Sequence, residues 1–172
     1  RVDGLAQRLK QAGIAVQRSP RAQLDKRVGS DRHQGIAARW RLPEALDEAD
    51  LVRMIEQAST PPLILVLDGV QDPHNLGACL RVADGAGAHC VIAPKDHAAG
   101  INATVAKVAS GAAETVPYFM VTNLARTLNE LKERNILVVG TSDTAEQSLY
   151  DVDLSGPVAL VLGAEGSGMR QL

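Results

Sequence analysis

Aromatic side chains are nearly missing from this 172-residue chain, which holds one Trp, one Phe and two Tyr. With only Trp40, Tyr118, Phe119 and Tyr150 available, it is not a base-stacking module of the RRM or OB-fold kind, because those read single strands on aromatic platforms. Any nucleic acid it grips must be held by Lys and Arg contacts to phosphate and by shape. Cysteine is scarce as well. Cys79 falls in a helical pattern and Cys90 in a strand pattern, with no CxxC spacing, so both read as reduced core thiols rather than a bridge or metal site. His33, His74, His89 and His97 show no paired metal spacing, and no metal is expected. No apolar run approaches the roughly 18 residues of a membrane span, and no basic-then-apolar leader opens the sequence, so the expectation is no membrane partner and cytoplasmic residence.

What the chain does have is 45% hydrophobic residues, enough to bury one good core and a small second one. Its net charge of −2 hides an asymmetry: residues 1–41 carry +7 and residues 42–172 carry −9. A basic module joined to an acidic one fits a nucleic-acid-gripping part, with a merely solvated basic face as the bland alternative. On the gripping reading Arg18, Arg21, Lys26 and Arg27 are the contacts. Periodicity predicts a helix from Val2 to a cap at Gly13, a short strand at Ile14–Val16, a loop-rich stretch from Ser19 to Arg32 and a buried strand at Gly35–Ala38. Pro43 to Pro62 reads as an acidic connector with a short helix capped by Asp50, ending in the stiff Thr60-Pro61-Pro62.

From Leu63 onward strands and helices alternate: strands at 63–67, 89–93, 115–121, 136–140 and 158–162, helices at 75–86, 101–109 and 123–134. Alternation of this kind predicts a parallel sheet covered on both faces. Leu124, Leu128 and Leu131 mark a buried helical stripe, and Asn135 suits that helix's C-terminal end. The most informative stretch is Leu63-Ile64-Leu65-Val66-Leu67-Asp68-Gly69, a buried strand that runs into Asp72-Pro73 and then a helix carrying Asn75 and Arg81. Helical side chains lean toward the helix N-terminus, so Arg81, with only Gly77 and Ala78 one turn before it, reaches back toward the sheet's carboxyl edge. Such edges are where α/β proteins hold ligands. The spacing leaves alternatives open: Arg81 as a snorkelling surface residue, and Asn75 as the cap of its helix.

Gly163-x-x-Gly166-x-Gly168 follows the last strand. It lacks the Lys-Ser/Thr of a Walker A loop and does not sit at the first strand-to-helix turn, where a dinucleotide fingerprint belongs. Its glycines permit positive φ and close backbone approach, and Glu165 within it serves either loop order or chemistry.

Asn75, Gly77 and Arg81, followed some ninety residues later by Leu162-Gly163-Ala164-Glu165-Gly166-Ser167-Gly168, resemble motifs 1 and 2 of the SpoU (TrmH-like) branch of the SPOUT RNA methyltransferases. The likeness extends through Asn102-Ala103-Thr104, Ser110-Gly111-Ala112 and His33-Gln34-Gly35. It implies an α/β chain with a parallel-sheet SPOUT trefoil-knot domain at 63–172, a linker at 42–62 and a partial L30e-like RNA-binding α/β domain at 1–41. It implies methylation of a ribose 2′-oxygen by S-adenosyl-L-methionine (AdoMet), in the nearest members on a guanosine of bacterial 23S ribosomal RNA. Transfer-RNA methylation and a non-catalytic RNA-binding or ribosome-assembly role are the alternatives, and a homodimer is implied. The implied catalytic set is Arg81, Asn75 and Glu165. Gly140, Thr141, Leu162, Gly163 and Gly166 would line the cofactor, and His74, Asn102 and Lys107 would touch RNA. The family's third motif, an apolar segment with a Ser-Leu-Asn core, does not occur up to Leu172, and Arg1 lies inside an amphipathic pattern without a starting Met. The expectation is therefore an incomplete stretch of a longer protein, with the knot and one pocket wall missing.

Overall fold

The computed structural model describes residues 2–164 and 168–170. They divide into two compact units, residues 1–41 and 42–172. The larger unit is built on a parallel sheet of β1 (Leu63–Asp68), β2 (Cys90–Pro94), β3 (Tyr118–Val121), β4 (Leu137–Gly140) and β5 (Val158–Gly163), in the order β3-β2-β1-β5-β4. From β1 the chain therefore runs outward through β2 and β3 on one side, then crosses to the other side, where β4 takes the far edge and β5 fills the place next to β1. The direction of winding reverses between β1 and β5, which makes their carboxyl ends the switch point where open α/β sheets take ligands.

Alternate side chains of the strands feed two cores. Ile64 and Val66 of β1, Ile92 of β2 and Phe119 of β3 pack with α3 (Glu48–Glu56) and with Leu124, Leu128 and Leu131 of α7 (Leu124–Glu133). On the opposite face Leu67, Val91 and Tyr118 pack with Leu76 and Leu80 of α4 (Pro73–Gly85), Val105 of α5 (Ala103–Ala109) and Ala112 of α6 (Ala112–Thr115). The period-2 split along β1 is what a strand covered on both faces requires. Asn135 takes the left-handed conformation, φ 59°, and its N–H donates to the Lys132 carbonyl, closing α7 as its sequence position suggested.

Residues 42–62, expected as a connector, belong to the larger unit. Leu46 lies along the free edge of β3, where its N–H donates to the Tyr118 carbonyl at 2.8 Å and its carbonyl accepts from Met120 N–H at 3.0 Å. Helix α3 is capped by Asp47, not Asp50: the Asp47 carboxylate accepts the Asp50 N–H at 3.0 Å. Glu48 then ties α3 down by accepting the Thr122 N–H at 2.6 Å.

The small unit departs most from expectation. Helix α1 (Val2–Gln11) ends as foreseen, with Gly13 left-handed at φ 76°. Ile14–Val16 and Gly35–Ala38 are not strands, however, and Ile14 and Ile36 are 52% and 41% exposed. The stretch expected as loop carries α2 (Arg21–Val28), which starts after Pro20 and stops at left-handed Gly29. No described residue of 2–41 is fully buried. Short strands persist only when a sheet or a packed helix satisfies their backbone and covers one face, and neither is present here.

Candidate active site

Helix α4 starts where Asp72 accepts the backbone N–H groups of His74 at 2.6 Å and Asn75 at 3.3 Å, with Pro73 in the first turn. Asp72 is thus the cap and Asn75 is not; the exposed Asn75 stands one turn into the helix at the carboxyl end of β1. His74 and Arg81 are seven residues apart, two helical turns, and so share a face. Between them Gly77 lets α5 come close: a Cβ there would lie 2.7 Å from Val108 Cβ and 2.9 Å from the Val105 carbonyl oxygen.

The α4–α5 approach forms a cleft of about 580 Å³ lined by His74, Arg81, Ala103, Thr104, Lys107, Val108 and Ser110. Three of the residues picked from sequence, His74, Arg81 and Lys107, meet in it. Among the described residues neither Arg81 nor Lys107 is paired with a carboxylate. Two cationic groups and the hydroxyls of Thr104 and Ser110, all facing an open cleft, suit a phosphodiester or a ribose. Asn102 is not among the lining residues; its carboxamide oxygen caps α5 by accepting the N–H groups of Thr104 at 2.9 Å and Val105 at 3.0 Å.

Gly140, Thr141, Leu162 and Gly163 gather at the ends of two neighbouring strands, β4 and β5, in register with Gly140 opposite Val161. Thr141 is anchored there, its N–H and hydroxyl both donating to the Val161 carbonyl at 3.0 and 3.1 Å. The edge is half-open: Leu162 and Gly163 are partly exposed, whereas Val158, Ala159 and Val161 earlier on β5 are buried. An apolar, partly uncovered strand edge at the switch point is a chemically fitting seat for an adenosine-bearing cofactor. Gly163 is required by packing, since a Cβ on it would fall 2.1 Å from the Gly168 carbonyl carbon. Glu165 and Gly166, the other two residues picked from this loop, lie outside the described residues.

Sequence reasoning missed Asp68 and Arg170. Asp68, at the carboxyl end of β1, is 1% exposed and accepts two hydrogen bonds from Arg170, from its backbone N–H at 2.8 Å and from Nε at 2.7 Å, with a terminal guanidinium nitrogen in ion-pair contact at 2.6 Å. In the sequence Asp68 is marked only as the first charged side chain after five apolar residues, and its partner lies 102 residues away.

In the small unit, Arg18 pairs with Asp3, and Arg21 donates to the Asp31 carbonyl at 3.2 Å. Lys26 and Arg27 stand exposed in the last turn of α2.

The parallel sheet thus carries a basic α4–α5 cleft on one side of its switch point and an apolar strand edge on the other. AviRb from Streptomyces viridochromogenes, solved in complex with AdoMet, superposes with a TM-score of 0.63 at 26% identity, over 70% of this chain and 49% of that one. The model of the SpoU rRNA methylase family matches residues 62–172, and that of the RNA 2′-O ribose methyltransferase substrate-binding domain matches residues 1–46. This chain belongs to the SpoU rRNA methylase family. Its relatives include the 23S rRNA (guanosine-2′-O-)-methyltransferase RlmB of Ralstonia nicotianae, 61% identical over 94% of the chain and 64% of the relative. RlmB of Yersinia pestis is 53% identical over 100% of the chain and 70% of the relative. The chain spans about two thirds of the length of these curated relatives.

Proposed function

We propose that this chain is the main part of an AdoMet-dependent RNA methyltransferase that modifies the ribose 2′-oxygen of a guanosine in bacterial 23S ribosomal RNA. The observation that carries the reading is the pairing of a cationic cleft holding Arg81 with an apolar strand edge at one sheet switch point, in a chain 61% identical to an RlmB.

Bound at the edge formed by Gly140, Thr141, Leu162 and Gly163, AdoMet supplies an electrophilic methyl group. The chain's own task would be to orient the ribose hydroxyl toward that methyl and to stabilise the oxygen as its proton passes to solvent water in the open cleft. Arg81 is suited to stabilisation rather than to taking the proton, because a guanidinium stays protonated at any physiological pH. Its planar fork holds the adjacent phosphate or the developing alkoxide, with Asn75 orienting the ribose and Glu165 kept in the catalytic set by the family resemblance. Lys107 and His74 hold the flanking backbone in the cleft, and Asn102 serves chiefly to set the start of α5. The basic small unit adds phosphate contacts through Lys26 and Arg27, with Arg18 and Arg21 contributing less because each already has a partner.

The reading extends to a cytoplasmic homodimer with a trefoil knot. Among the described residues no helix is long and apolar enough to cross a membrane. The deciding experiment incubates the full-length protein with labelled AdoMet and either 23S rRNA lacking the modification or bulk tRNA, and maps the methylated nucleotide. Label at one guanosine 2′-oxygen of 23S rRNA supports the reading; label on tRNA alone reassigns the substrate, and no transfer to either overturns it.

A further inference from the structure

We propose that Asp68 is a positioning residue for the cofactor, acting through Arg170 as a latch that holds Gly168 and Met169 against the end of β5. The inference rests on the AdoMet reading of that edge. Asp68 and Gly163 are register partners at the ends of adjacent strands, so the loop that leaves β5 starts beside Asp68. The loop is pinched at its base, where Ala164 and Gly168 exchange N–H to carbonyl bonds, both 2.9 Å. Its incoming foot rests on β1, since Gly69, left-handed at φ 92°, leaves only enough room for the Ala164 methyl: a Cβ on Gly69 would lie 3.2 Å from it. Its outgoing foot is held by Asp68, whose Oδ2 accepts the Arg170 backbone N–H and whose Oδ1 accepts the Arg170 Nε–H and pairs with a terminal guanidinium nitrogen. Between the feet, Met169 lies across the end of β4, with its methyl carbon 2.6 Å from where a Gly140 Cβ would stand.

The Asp68 carboxylate is buried while the Arg170 side chain is 49% exposed. A buried carboxylate needs every lone pair answered, and here one Arg supplies both charge and donors. That asymmetry makes the pair a latch: Arg170 can leave for solvent, and Asp68 cannot. Holding Arg170 fixes Met169 and Gly168 against Gly163, and so shapes the edge where Leu162, Gly163 and Gly140 would meet the cofactor. Asp68 touches neither cofactor nor RNA in this scheme.

The test titrates AdoMet and, separately, RNA without cofactor into the full-length protein. Asp68→Asn keeps the shape but removes the charge; it should weaken AdoMet binding at least about tenfold, roughly 1.4 kcal/mol, with RNA affinity within twofold of wild type. Arg170→Gln, altering the half-exposed partner, should do the same, and it decides the matter should Asp68→Asn fail to fold. The double variant should be no weaker than the worse single, since both break one latch; losses that multiply overturn the pairing. Wild-type AdoMet affinity in either single variant overturns the latch alone. A wild-type protein that takes up no AdoMet overturns the methyltransferase reading, and the latch falls with it.

Discussion

Gly77 of α4 faces Val108 of α5 so closely that a Cβ on the glycine would stand 2.7 Å from Val108 Cβ and 2.9 Å from the Val105 carbonyl oxygen of the same helix. Neither helix can yield at that point without moving the floor of the cleft that holds His74, Arg81 and Lys107. Gly77→Ala should therefore destabilise the fold by about 1–3 kcal/mol through overpacking, at roughly 2–4 °C in Tm per kcal/mol for a chain of this size. It should also lower methyl transfer more than AdoMet binding. Calorimetric melting with parallel titrations checks it; a Tm within a degree of wild type would mean that α4 and α5 slide apart freely.

Arg81→Ala should reduce methyl transfer by about a hundred- to a thousandfold while leaving AdoMet affinity within about threefold, the size of effect seen when a donor to a developing oxyanion is removed. Arg81→Lys should fare nearly as badly, because a point charge does not reproduce a planar fork. Single-turnover rates at saturating AdoMet and RNA give the answer. Turnover within tenfold of wild type in Arg81→Ala would sink the assignment.

The parts of the fold legible in the sequence are those where one local signal suffices. Leu63–Leu67 is five apolar residues between breakers, and it is a central strand. Leu124, Leu128 and Leu131 keep helical spacing, and they line one core. Ile14–Val16 carries the same β-branched signal and forms nothing, because a strand is a pairing and the small unit offers no partner. The site divides likewise. His74 and Arg81 are two turns apart on one helix, so their shared cleft followed from spacing. Lys107 joins them through Gly77, whose role as a spacer between helices no periodicity displays. Asp68 and Arg170 are 102 residues apart, and nothing local to either announces their pairing. The cap of α4 went to Asp72 rather than Asn75 because Pro73 fixes the first turn and leaves the acid before it to accept the free N–H groups.

Cys90 sits wholly inside the sheet, and burial pushes its thiol from the ordinary 9.0 up to about 12. Below pH 9 the folded and unfolded chains both carry the protonated thiol. Between 9 and 12 only the unfolded chain ionises, so unfolding is favoured by about 1.4 kcal/mol per pH unit in that window. Cys90→Ala should flatten the stability curve there, and in the wild type Cys90 should resist an aromatic disulfide reagent at pH 8 until denaturant is added. Rapid labelling of two thiols in the native protein would contradict the burial. Cys79, half-buried with its thiol also raised by desolvation, should label slowly.

The small unit offers a quantitative check on its role. Arg18 is paired with Asp3 and Arg21 with the Asp31 carbonyl, whereas Lys26 and Arg27 project from the last turn of α2. A cation that neutralises a phosphate releases counterions, so removing one such cation lowers the slope of log affinity against log salt by roughly 0.7 to 0.9. If Lys26 and Arg27 each hold a phosphate, the double variant Lys26→Ala/Arg27→Ala should flatten the slope by about 1.4 to 1.8. Arg18→Ala should change it by less, since breaking its ion pair also frees Asp3 to repel the backbone. Filter-binding titrations of the full-length protein over a range of salt measure both. An unchanged slope in the double variant would mean that this basic surface is solvated rather than an RNA grip, and would leave the α4–α5 cleft as the RNA-holding surface that matters.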